Sequence, residues 1–131
     1  MPIDSSILLT SMDERGVMTL TLNRPDAFNA MSEALLEALQ ACITDMSEDP
    51  NLRVVVIQAN GKAFCAGHDL KEMRAQPSDA YYRDLFSRCS QVTMGLQNLP
   101  VPVIAKVHGL ATAAGRQLLA QCDLALTSDN A

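Results

Sequence analysis

Two runs of β-branched residues, each ending in a cluster of small residues, constrain this chain more than any other feature. Val54-Val55-Val56-Ile57 leads into Lys62-Ala63-Phe64-Cys65-Ala66-Gly67-His68-Asp69-Leu70. Val103-Ile104-Ala105-Lys106-Val107 leads into His108-Gly109-Leu110-Ala111-Thr112-Ala113-Ala114-Gly115. Each reads as strand, tight turn, helix start. A helix start carries backbone N–H groups without an internal partner, and these attract negative charge. Two such starts brought together hold one oxygen anion between two donors, so chemistry at a carbonyl group is the first functional expectation.

The intervening segments fit the same plan. Ile7 to Met12 and Val17 to Leu22 are β-rich runs around Asp13-Glu14-Arg15-Gly16, a hairpin signal. Asn23 to Ala27 is a loop in which Pro25 holds Arg24 extended. Ser32 suits an N-cap, and Leu35, Leu39, Cys42, Ile43 and Met46 recur at helical spacing, which predicts a helix over residues 32–48. Leu52 to Ala59 is a continuous apolar run, as expected for a strand covered on both faces. Asp69 is placed to cap a short helix through Met73, ended by Gln76-Pro77-Ser78-Asp79. A longer helix follows, with Tyr82, Leu85, Phe86, Cys89, Val92 and Leu96 on one apolar face, and Pro100 and Pro102 stop it. Val103 to Val107 is the next buried strand, followed by a helix from about Ala113 to Cys122 and a strand over Leu124 to Thr127. A hairpin followed by alternating helices and strands is an α/β domain with a largely parallel sheet. The chain stops just after a strand, so the expectation is one domain over residues 1–131, incomplete at its C-terminus, with exposed apolar surface favouring association.

Composition narrows the function classes. A net charge of −5 argues against a nucleic-acid surface, which needs a basic stripe. No run approaches the roughly 18 apolar residues of a membrane span. Cys42, Cys65, Cys89 and Cys122 show neither C-x-x-C nor a paired metal-ligand spacing, so they read as core filler in a reduced protein. With no cationic leader at the start of the chain, the expected compartment is the cytoplasm.

Leu22-Asn23-Arg24-Pro25, Asn29-Ala30-Met31, the run Ala63 to Leu70 and the run His108 to Asp123 together resemble the enoyl-CoA hydratase/isomerase (crotonase) superfamily. Four linked motifs in order, spread over the whole chain, are far more specific than one glycine pattern. The resemblance implies a crotonase-like ββα spiral, of which this chain would be the N-terminal half, acting on an acyl-CoA thioester. It implies that the backbone N–H groups of His68 and Ala114 form an oxyanion hole for the thioester enolate. It places the coenzyme A moiety of the substrate near Arg24, Ala27, Lys62, Ala66, Leu70 and Lys71. The carbonyl of Ala66 and the N–H of Leu70 would meet the adenine, and Arg24, Lys62 and Lys71 the phosphates. It implies no prosthetic group, no metal, and a homo-oligomer, a trimer or hexamer in the full-length protein.

One residue departs from the pattern. Hydratases of the family carry a glutamate where Gln117 stands, and a carboxamide positions water but exchanges no proton near neutral pH. The second family glutamate falls beyond Ala131. Three readings follow: an enoyl-CoA hydratase/isomerase-type enzyme whose proton transfers come from elsewhere, a non-catalytic acyl-CoA binder, or an inactive fragment. Other residues keep structural alternatives. His68 serves through its backbone or through its ring, His108 through a turn, Asp69 as an N-cap or an acid, and Asp123 as a turn-stabilising or a catalytic carboxylate. Lys62 and Lys71 bind phosphate or are solvated, and Gln117 and Arg116 face the substrate or the solvent.

Overall fold

The computed structural model describes residues 7–111, 122 and 124–127. Strands β1 (Leu8–Met12) and β2 (Val17–Leu22) form the expected antiparallel hairpin. A single 3-10 turn (Pro25–Ala27) leads to α1 (Glu33–Ser47), then β3 (Val54–Ala59) and β4 (Ala63–Cys65). Helices α2 (Leu70–Ala75) and α3 (Asp79–Gln97) precede β5 (Val103–Val107), β6 (Leu110–Ala111) and β7 (Leu124–Thr127). The main sheet runs β1-β2-β3-β5-β7, and β4 pairs with β6 separately. Beyond the hairpin every pairing among the described residues is parallel, so the sheet is largely parallel as its α/β element order predicts.

Helix α1 starts where its cap permits. The Ser32 hydroxyl accepts the N–H of Leu35 at 3.1 Å, satisfying one orphan donor of the first turn. Leu35, Leu36, Leu39, Ile43 and Met46 then fall on one face and join the core with Leu85, Cys89, Val92 and Leu96 of α3. Val55 and Ile57 complete that core from the sheet, both fully buried. Val54 and Val56 on the opposite face of β3 are only half-buried. The expectation of a strand covered on both faces thus holds for one face of β3 among the described residues. Phe86 also differs from its expected place in the core: it is 46% exposed at the edge of the α3 face. Cys65 and Cys89 do fill the core, and all four cysteines are free thiols. The helix expected over residues 113–122 lies outside the described residues.

Candidate active site

β3 and β5 are adjacent and parallel, so the chain leaves both at the same end of the sheet. The short strands that follow also pair, Ala63 with Leu110 and Cys65 with Ala111, with a register shift between Ala63 and Cys65. Gly109 makes the approach possible, because a Cβ there would sit 2.1 Å from the Lys62 carbonyl oxygen. His108 Nε2 donates to the Gly61 carbonyl and ties the two turns together, a structural role. Neighbouring strands lie about 4.8 Å apart. The two small-residue turns, far apart in sequence, therefore start side by side and head in the same direction.

The loop after β4 is clamped against residues 28–31. Ala66 N–H donates to the Phe28 carbonyl at 3.1 Å, Met31 N–H to the Gly67 carbonyl at 2.6 Å, and Asp69 N–H to the Met31 carbonyl at 3.3 Å. This is a one-residue parallel bridge between Met31 and His68. Met31 makes both bonds, to the residues that flank His68, so the N–H of His68 itself faces the other way. The His68 N–H has no acceptor among the described residues. Gly67 takes φ +100°, a left-handed conformation that suits glycine, and so turns the chain just before that amide.

The side chains around the loop were harder to foresee. Asn29, fully buried with φ +56°, accepts the Arg24 N–H at 2.7 Å and donates to the carbonyls of Asn60 at 2.8 Å and Ala63 at 2.9 Å. Arg24 donates to the Ala30 carbonyl at 2.8 Å and to Asp69 Oδ2 at 3.2 Å. Asp69 caps α2 as expected, its Oδ1 accepting Lys71 N–H at 3.0 Å and Glu72 N–H at 3.3 Å. The cap was legible in the sequence, whereas the ion pair joins residues 45 positions apart and left no local signal.

The other expected contact residues lie around this loop. Ala27 closes the 3-10 turn, with its N–H on the Arg24 carbonyl at 3.0 Å. Lys62 and Lys71 are exposed and form no ion pair with any described residue. Leu70 opens α2 and is 62% exposed. Arg24 pairs with Asp69 at 3.2 Å, with 23% of its side chain exposed. The His68 ring packs edge-on against Phe86, with centroids 4.9 Å apart, and its buried Nδ1 has no hydrogen-bond partner. Burial holds the imidazole pKa below its ordinary value. Ala114, Arg116, Gln117 and Asp123 lie outside the described residues.

Comparison with known proteins gives one answer. The profile of the enoyl-CoA hydratase/isomerase family matches residues 12–131. A Xenopus laevis protein named enoyl-CoA hydratase domain-containing protein 3, mitochondrial, is 45% identical over 122 residues, covering 93% of this chain and 42% of the relative. Its Homo sapiens counterpart is 45% identical over 114 residues, covering 87% and 38%. Among solved structures, an enoyl-CoA hydratase of Mycobacterium smegmatis superposes with a TM-score of 0.91 at 63% identity, covering 92% of this chain and 47% of that one. The chain spans less than half the length of these relatives. They also correct the expected compartment: both vertebrate relatives carry "mitochondrial" in their names, so the cytoplasmic reading does not stand. That reading rested on composition and on the first few residues given, and the sequence of a folded core carries no address of its own.

Proposed function

The chain belongs to the enoyl-CoA hydratase/isomerase family, and from that premise we propose that it binds an acyl-CoA thioester and stabilises its enolate between the N–H groups of His68 and Ala114. One observation carries the proposal: Cys65 pairs with Ala111 in parallel. His68 and Ala114 each follow their paired residue by three positions, on strands that head the same way. The His68 amide adds support, since it has no acceptor among the described residues and leaves a donor for a ligand oxygen. Removing a proton next to the thioester carbonyl moves charge onto its oxygen. Preorganised donors about 2.7–3.1 Å from that oxygen, held by a rigid loop, favour this state without reorganising.

In this reading the exposed Lys62 and Lys71 meet the phosphates of coenzyme A, and Ala27, the Ala66 carbonyl and the Leu70 N–H border its adenine. Coenzyme A enters as part of the substrate, and the whole domain works as a trimer or hexamer. Gln117 supplies no proton, so hydration or isomerisation of an enoyl-CoA draws its acid and base from other groups. The same carboxamide supports a second reading, a thioester binder without turnover.

Acetoacetyl-CoA tests the proposal, because its enolate absorbs in the near ultraviolet and its ketone form does not. The parent chain is expected to raise the enolate signal on binding. Ala114→Pro, which deletes one donor, is expected to lower that signal and any crotonyl-CoA turnover by about 100-fold or more. Binding with an enolate signal but no crotonyl-CoA hydration selects the second reading. A thioester bound with no enolate signal refutes the anion site.

A further inference from the structure

The Arg24 guanidinium joins three segments that meet at the candidate anion site. One nitrogen holds the Ala30 carbonyl at 2.8 Å, next to the Met31–His68 bridge, and another holds Asp69 Oδ2 at 3.2 Å, directly after His68. Both side chains are largely buried, with 23% of Arg24 and 12% of Asp69 exposed. A partly desolvated, charge-assisted pair is stiffer than a surface contact. Behind it, Asn29 pins the Arg24 N–H and the carbonyls of Asn60 and Ala63, fixing the start of β4 to the same frame. The other oxygen of Asp69 caps α2, so one carboxylate holds the residue before the helix and the loop behind it. The His68 amide is thus bracketed, with Gly67 bonded to Met31 on one side and Asp69 bonded to Arg24 on the other.

We infer that Arg24 and Asp69 are positioning residues for the His68 amide, Arg24 serving the anion site through Asp69 and not the coenzyme A phosphates. The inference deepens the proposed function and rests on it. A donor misplaced by about 1 Å costs on the order of 100-fold in rate while leaving most ground-state binding intact. The pair therefore acts on the enolate and little on the affinity for the thioester.

Asp69→Asn separates the two duties of the carboxylate, since asparagine caps a helix as well as aspartate does but carries no charge for Arg24. Arg24→Lys keeps the charge but cannot fork to both Ala30 and Asp69. Each variant is titrated with acetoacetyl-CoA and with coenzyme A, recording affinity by calorimetry and the enolate by absorbance, after a thermal melt shows which variants fold. The expected result is affinity within about 3-fold of the parent and an enolate fraction down about 10-fold or more. The double variant is expected to be no worse than the poorer single one, because both remove one unit. An undiminished enolate in a folded variant overturns the inference, and so does an Arg24→Lys loss that appears equally in coenzyme A affinity, which returns Arg24 to the phosphates. A parent that binds acetoacetyl-CoA without an enolate signal overturns the anion site itself, and that outcome is read before any variant is made.

Discussion

The ring of His68 is half-buried against Phe86, and burial lowers its pKa from the ordinary 6.5. The sign of the consequence follows. Between the lowered folded pKa and 6.5 the unfolded chain binds the extra proton and the folded chain does not, so stability rises with pH across that window and is lost as the solution is acidified through it. Thermal melts of the parent and His68→Gln from pH 7.5 to 5 check this. The parent is expected to lose more stability on acidification than the variant, and parallel curves would show that the ring is not desolvated. Arg24 teaches a related lesson. The resemblance places it among the phosphate contacts, and the fold adds an ion pair with Asp69 that no local pattern announced.

At the scale of elements, legibility followed length and period. Helices α1 and α3 repeat their apolar residues over several turns, and the caps Ser32 and Asp69 sit where the sequence gives them room, so these elements were readable. β4 and β6 have three and two residues, too few for any period, and exist because each pairs with the other. The sequence reading expected the two turns to come together but held no sign of the strands that pair them, because that pairing is a tertiary fact. The close approach depends on the missing side chain at Gly109, whose replacement would press a methyl group into the Lys62 carbonyl. Gly109→Ala is expected to cost about 1–3 kcal/mol by urea unfolding and to weaken the acetoacetyl-CoA enolate signal. An unchanged unfolding midpoint would mean that β4 and β6 are not tightly paired.

For the whole molecule, the sheet presents two unlike faces. Val55, Ile57, Val103 and Ala105 are buried in the core that contains α1 and α3, while Thr19, Val56 and Ile104 form a half-buried row across β2, β3 and β5. The α/β class and the family were legible because motif order and element order agree along the chain. The compartment was not, since nothing in a packed core encodes it. The proposal that joins residue, element and molecule is the convergence of two amides on one oxygen. Two donors each within about 3 Å of the same atom cannot lie more than about 6 Å apart. A crystal structure of the protein with bound acetoacetyl-CoA measures this most directly. The account predicts the thioester oxygen within about 3.1 Å of both His68 N and Ala114 N. It is contradicted if those nitrogens lie more than about 6 Å apart, or if the oxygen is held by other groups.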